Sequence, residues 1–208
     1  MQTLIGKKTG MTRVYDDDGV QVAVTVVQVG PCTVVQRKTA ATDGYEAVQL
    51  GFEEQKESRV TKPQQGHFKK AGAKPQKVVR EVRLEADEEA APGDVLTAKI
   101  FEGVQYVDVL GHTKGRGFQG VIRKFKMRGG RASHGGAWTR RAGSTGSIDS
   151  ANIIKNKTMP GQMGSVDITT QNLRVVKVLA DENALLLEGA VAGPAGGIVL
   201  VRKAIKKA

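Results

Sequence analysis

The chain contains a single cysteine, Cys32, among 208 residues. One thiol forms no intrachain disulfide and builds no Cys-based zinc site, which suits a reducing compartment. Following Pro31 in a strand-rich stretch, Cys32 reads as a small buried hydrophobe rather than a nucleophile. Aromatic residues are scarce at 4%, so the core is expected to rest on Val, Leu, Ile and Ala, a composition that favours β-branched strands. Long hydrophobic runs are missing as well. The most apolar stretch, Ala184 to Val201, is interrupted by Glu188, Pro194 and several glycines, and it falls short of the ~20 apolar residues of a spanning helix. The opening MQTLIGKKTGM has no apolar signal-peptide region. The expectation is a cytoplasmic chain with no membrane partner, in which the sequon Asn156-Lys157-Thr158 is incidental.

Acidic residues are nearly missing from one long segment. Gly111 to Gly164 carries eleven basic side chains, Lys114, Arg116, Arg123, Lys124, Lys126, Arg128, Arg131, Arg140, Arg141, Lys155 and Lys157, against the single acid Asp149. The whole chain has 32 basic and 21 acidic residues for a net +11, so 21 against 20 remain outside the segment and almost all net charge lies within it. Twelve of its 54 residues are glycine. A basic, Gly-rich segment in an otherwise near-neutral chain calls for a densely charged polyanion, because each phosphate neutralised releases its counterions.

Around this segment the pattern is β. Val20 to Val29 alternates apolar with small or polar residues, as a half-buried strand does. The turn chemistry of Asp16-Asp17-Asp18-Gly19 makes Thr12 to Tyr15 the other arm of a hairpin. Further strands are expected at Thr33 to Arg37, Glu46 to Phe52, Val78 to Leu84, Val95 to Phe101 and Val104 to Leu110. After the segment come Leu173 to Leu179, Ala184 to Glu188 and Ile198 to Arg202. Many short strands between Gly, Pro and Asp turns suggest a closed barrel or sandwich, since closure removes exposed edges.

A polar insertion, Glu53 to Lys77, holds a short helical turn at Gly66 to Gly72. Within the basic segment Phe118, Val121, Ile122 and Phe125 fall at i, i+3, i+4 and i+7, which predicts a helical turn or two over Gly117 to Phe125. With so few apolar residues the segment is not expected to be a compact subdomain. It should project, repel itself and order on its polyanion.

Chemical motifs are weak. Gly115-Arg116-Gly117-Phe118-Gln119-Gly120 matches the dinucleotide fingerprint in letters, but about 20 residues on stand Arg140 and Arg141 where the ribose needs an acid. The glycines read better as backbone able to lie close to phosphate. His67, His112 and His134 are too scattered for a local metal box. Gly143-Ser144-Thr145-Gly146-Ser147 has no glycine two places either side of one serine, so it is no nucleophile elbow. The acids pool in Asp16-Asp17-Asp18 and Asp87-Glu88-Glu89, as turn and loop residues do, and form no acid/base constellation. No enzyme activity, cofactor, metal or small-molecule substrate is expected. The candidate RNA-binding residues are the eleven cations with His134 and Trp138, because arginine forks phosphate and an indole offers a stacking face. Phe118 and Phe125 are expected to dock the base of the extension, and Trp138, among glycines and arginines, to be buried only by a partner. Lys62, His67, Lys69 and Lys70 are secondary candidates, and the terminal RKAIKKA adds further cations.

LIGKKTGMT, VQVGPCTVVQRKT, DGYEAVQLGF, KPQQGHFKKAG, GHTKGRGFQGVIRKF, GGRASHGG, and MPGQMG followed by TTQNLRVV occur in that order along the whole chain. Together they resemble the bacterial form of the third protein of the large ribosomal subunit, the ribosomal protein L three family. The resemblance implies a closed six-stranded barrel of the translation-protein kind with a long basic loop; with the one or two short helices read from the residues, the expected fold is mainly β with a Greek-key-type barrel. With the boundaries that the charge pattern draws, residues 1–110 with 165–208 are the barrel and 111–164 the extension. The resemblance further implies a loop running through 23S-type rRNA toward the peptidyl-transferase region, neighbouring large-subunit proteins as partners, and a role early in subunit assembly. RAGSTGSIDSANIIKNKTMPG departs from the family pattern: a proline is missing, Asp149 is introduced, and no glutamine stands between Ser144 and Gly161. The methylated glutamine of some relatives is therefore not carried over. The alternative function is a free nucleic-acid chaperone with a basic arm.

Overall fold

The computed structural model describes residues 2–16, 18–84, 90–147, 149 and 151–207. Asp17, the acidic run Asp87-Glu88-Glu89 and Ile148 lie outside them. The chain divides into two units, Met1–His112 with Asp167–Ala208, and Thr113–Val166.

The first unit begins with a long hairpin, β1 (Thr3–Tyr15) and β2 (Gln21–Val29). Gly19, at φ +74°, lets the chain reverse, and its N–H donates to the Asp16 carbonyl at 2.8 Å. The alternation in β2 does what it predicts: Val22, Val24, Val27 and Val29 are buried. β1 is much longer than the arm expected at Thr12 to Tyr15, and a bulge between Lys8 and Gly10 re-phases its pairing with β2.

β3 (Cys32–Lys38), β4 (Ala47–Glu54), β5 (Gln76–Arg83) and β6 (Val95–Leu96) form a separate sheet in the order β5-β4-β3-β6. The chain then returns through β7 (Tyr106–His112), and later through β10 (Asp167–Leu179), β11 (Ala184–Glu188) and β12 (Ile198–Lys203). These close a six-stranded antiparallel barrel in the order β1-β12-β7-β10-β11-β2. β7, β10 and β11 are successive neighbours and β12 comes back beside β7, which is Greek-key connectivity. Close strand approach needs glycine at Gly6, where a Cβ would sit 2.7 Å from the Gln28 carbonyl oxygen.

One apolar cluster runs through both sheets, including Leu4, Ile5, Val34, Leu50, Val107, Val109, Leu185, Leu187 and Val201. It is not purely aliphatic as expected, because Phe52 and Phe101 belong to it. Cys32 is buried in the same cluster, where its thiol donates to the Ile5 carbonyl and burial pushes its pKa up to about 12. A thiol so held is no nucleophile. Buried polar side chains find partners, the Thr25 hydroxyl donating to the Gly189 carbonyl at 2.6 Å. The Lys8 ammonium donates to the Val191 carbonyl at 2.8 Å, and Asp108 accepts from the Asn172 N–H at 2.9 Å.

Three expectations are corrected. Val95 to Phe101 is not one strand: β6 ends at Leu96 and Ala98–Phe101 is a 3₁₀ turn. Ala98 and Phe101, three residues apart, are the buried pair there, a spacing that fits a three-residue turn and not a pleat. The turn expected at Gly66 to Gly72 is a helix over Lys62–Lys70, α2, which runs through Gly66 and buries Phe68. Pro63 sits in its first turn, where no intrahelical N–H is lost. A short helix that the sequence reading did not expect, α1 (Ala40–Asp43), closes at Gly44 with φ +80°, so the helices number three among the described residues.

The second unit, Thr113–Val166, has a different construction. β8 (Phe118–Gln119) pairs antiparallel with β9 (Gly161–Gln162), and α3 (Val121–Phe125) follows β8 directly. The helical turn expected from Gly117 thus begins only at Val121, and Phe118 belongs to the strand pair. Backbone hydrogen bonds tie the two arms: Thr113 N–H to Val166, Arg116 N–H to Met163, and Met163 N–H to Gly117. The segment therefore holds its own internal order where self-repulsion alone suggested an unstructured arm. Its apolar content remains as thin as expected, with Val121 the one buried residue among those described.

A candidate nucleic-acid interface

Every candidate cation of the basic segment lies in the second unit, on loops or on α3. Ten of the eleven are exposed and Lys124 is half-buried. Their surroundings differ from those of cations in the first unit. There Lys7 and Lys77 both contact Glu53, at 2.6 and 3.0 Å, and hold its carboxyl below the ordinary range. Lys38 likewise reaches Glu81 at 2.8 Å, and Arg174 reaches Glu188 at 2.6 Å. Among the described residues none of the eleven cations has a carboxylate within ion-pair distance. Arg123 instead donates to the Gln119 side-chain oxygen at 3.3 Å, and Lys124 lies 5.2 Å from the centre of the Phe125 ring. A surface with this much charge of one sign and so little internal compensation attracts polyanions at long range.

The middle of the segment folds back on itself. The Gly130 N–H donates to the Thr139 carbonyl at 3.2 Å, which closes a loop over residues 130–139. At its far end the Gly136 N–H donates to the Ser133 carbonyl, with His134 at φ +57° and Gly135 at φ +69° between them. Two successive positive φ values are the type I′ pattern. Arg140 follows, and the Arg141 N–H returns to the Trp138 carbonyl at 3.2 Å. Arg131, His134 and Trp138 are exposed along this loop and Arg140 and Arg141 just after it, while Lys155 and Lys157 lie on the returning arm. Phe118 and Phe125, expected to dock the base of the extension, are also exposed.

The fingerprint-like glycines serve the local geometry. Gly117, at φ +63°, precedes β8, and Gly120 is the N-cap of α3. No parallel strand follows among the described residues, so the dinucleotide reading has no βαβ unit behind it. In the first unit Lys62, Lys69 and Lys70 are exposed on α2, whereas His67 is half-buried with its Nε2 3.0 Å from the Gln49 side-chain oxygen. His112 pairs with Asp167 at 2.8 Å. Among the described residues no three His, Cys, Asp or Glu side chains are grouped to hold a metal, and no helix is long and apolar enough to cross a membrane. Two cations of the terminal RKAIKKA, Arg202 and Lys203, are joined in the structure by one that sequence reasoning missed, Arg83. Arg83 from β5 and Arg202 and Lys203 from β12 line an open groove of about 620 Å³ together with Glu81, and Arg202 lies 3.6 Å from the Asp108 carboxylate. Arg83 is more than a hundred residues from the other two in the chain, so its place beside them leaves no linear signal.

The exposure of the segment predicts how the free protein is digested. Limited proteolysis without RNA, by an enzyme of broad specificity, is expected to cut first between Arg123 and Lys157, leaving the barrel as a resistant fragment, since backbone outside paired strands yields first. Mass spectrometry of the early products checks this; first cuts within β2 would contradict it.

The comparisons agree on one family. The model of the family described as Ribosomal protein L3 matches residues 76–185, a range that contains the whole second unit. The chain is 49% identical over 204 residues to the large ribosomal subunit protein uL3 of Geobacter sulfurreducens, covering 98% of this chain and 97% of that one. It is 47% identical over 203 residues to the protein of the same name from Heliobacterium modesticaldum, again covering 98% and 97%. With that of Thermotoga petrophila the identity is 47% over 205 residues, covering 98% of each. Fold, order of motifs and full-length similarity converge: the chain belongs to the ribosomal protein L3 family in its bacterial form, a structural constituent of the ribosome and not an enzyme.

Proposed function

We propose that the chain binds large-subunit rRNA of the 23S type through residues 111–164, carried on a barrel made of residues 1–110 and 165–208. The observation that supports this most is the row of exposed cations without acidic partners among the described residues. RNA phosphates are the partner for which such a surface is suited, because the gain grows with each charge engaged. Lys114, Arg116, Arg123, Lys124, Lys126, Arg128, Arg131, Lys155 and Lys157 hold the backbone of the RNA, while His134, Trp138, Arg140 and Arg141 form the distal end. Lys62, His67, Lys69 and Lys70 make secondary contacts. Family membership supports the rest of the reading. The protein works in the cytoplasm within the ribosome, among neighbouring large-subunit proteins. It helps nucleate subunit assembly and sends the loop toward the peptidyl-transferase region.

The test is the double substitution Arg140→Ala with Arg141→Ala. Both side chains are exposed, so the barrel should fold unchanged. Affinity for an rRNA fragment should fall by the worth of a phosphate contact or two, a few kcal/mol at most (about 1.5–3 for each bond to a charged group). Large subunits carrying the variant should assemble but form peptide bonds poorly. Normal incorporation with normal activity would remove the claim that the loop reaches the functional centre, and failed incorporation would make its middle an assembly element. Stoichiometric co-sedimentation with ribosomal particles in high salt separates this reading from a free RNA chaperone.

A further inference from the structure

Trp138 is the only tryptophan of the chain and is 58% exposed. An indole is costly to leave in water, and it is normally covered on at least one face. Its chain neighbours Gly136, Ala137 and Thr139 are too small to cover it. Among the described residues no cation or second ring stacks on it.

The backbone that carries Trp138 is held in place. A Cβ at Gly130 would lie 2.9 Å from the Trp138 carbonyl oxygen. One at Gly129, where φ is +77°, would collide with the Thr139 carbonyl and come within 2.9 Å of the Ile122 side chain. One at Gly136 would run into the Arg131 carbonyl. Three glycines thus let the two sides of the loop approach within hydrogen-bond distance, and the type I′ turn at His134-Gly135 sets its end. A loop closed this way presents its side chains with little ordering left to do on binding.

We propose that the closed loop 130–139 is a preformed platform for one unpaired nucleobase, which stacks on Trp138 while Arg140 and Arg141 hold the flanking phosphates. The inference rests on the RNA-binding reading above and narrows it: duplex backbone offers phosphates to arginine, but only an unstacked base offers a face to an indole. A base on Trp138 also explains why the ring stands among cations and glycines instead of in a core.

Because the chain has one tryptophan, its emission reports on this site alone. The full-length protein is titrated with a short single-stranded oligoadenylate, following tryptophan emission together with the anisotropy of a labelled oligonucleotide. The expected result is strong quenching that tracks binding, with little quenching by a duplex RNA of the same length. Trp138→Ala should lower oligonucleotide affinity by about five- to a hundredfold, the worth of a base–aromatic stack, and Trp138→Phe should retain most of it. Gly130→Ala, which removes no charge, should lower both affinity and quenching. Salt-sensitive binding with unchanged emission, or equal quenching by the duplex, would overturn the platform and leave the phosphate-binding reading intact. Absence of binding to both the oligonucleotide and an rRNA fragment would overturn both.

Discussion

Deleting Arg123 to Lys157 should flatten the salt dependence of rRNA binding by several units and weaken binding by orders of magnitude at low salt. The excised stretch holds nine of the eleven cations of the basic segment, leaving Lys114 and Arg116. Each phosphate neutralised contributes about 0.7–0.9 to the slope of log affinity against log salt, so full engagement of all nine would remove about six to eight units. The geometry makes the deletion feasible. Gln119 and Gly161 are directly opposed across β8 and β9, so the residues left between them can close an ordinary hairpin loop. A companion variant with the same nine residues changed to glutamine keeps the chain length and removes only charge. If charge is the cause, both variants lose slope equally. A slope unchanged in both would move the RNA contacts to the barrel, where Arg83, Arg202 and Lys203 line their groove.

The part of this protein that the sequence made readable is the part governed by short-range rules. Alternation marked β2, and the stretch Ala184 to Glu188 is the strand β11 residue for residue. An aliphatic run beside Pro and Gly put Cys32 inside, where it lies. The misreadings have a common cause. Val95 to Phe101 is apolar enough for a strand, but only tertiary packing decides that Ala98 and Phe101 face one core three residues apart. Gly66 looked like a helix boundary, whereas α2 needs no side chain there because that position is exposed.

Burial of polar groups was invisible for a similar reason. Lys8 reaches the Val191 carbonyl and Asp108 accepts from the Asn172 N–H, partners 183 and 64 residues away along the chain. The charge of the candidate site was legible from composition, since nothing local neutralises it. Its shape was not: the closed loop 130–139 depends on backbone approach at Gly129, Gly130 and Gly136, and glycine in sequence signals permission to bend without saying where. Charge density outlined Gly111 to Gly164, whereas the unit set apart in the structure runs from Thr113 to Val166. The strand pairing of His112 with Asp167 belongs to β7 and β10 and draws that line.

Two phenylalanines of identical chemistry should respond very unequally to truncation, and the contrast separates folding from binding. Phe101 is fully buried, at the end of the 3₁₀ turn that follows β6, and belongs to the cluster that joins the two sheets. Phe101→Ala removes a ring from a packed core and leaves a cavity, at a cost of about 3–5 kcal/mol. Set against a total stability of about 5–15 kcal/mol for a domain, that is a large fraction. The melting temperature of the barrel should drop by on the order of 10 °C. Phe118 is 76% exposed on β8, and Phe118→Ala should change stability by about 0.5 kcal/mol or less, as surface substitutions do. Thermal and denaturant unfolding of the two variants measures this directly. Equal destabilisation by both would mean that Phe118 has a packing role its exposure denies. At temperatures where Phe101→Ala remains folded, its salt slope for rRNA should match that of the parent chain, because the cations of Thr113–Val166 are untouched. A slope that fell along with stability would tie the charged surface to the barrel core and defeat the separation of a folding unit from a binding one.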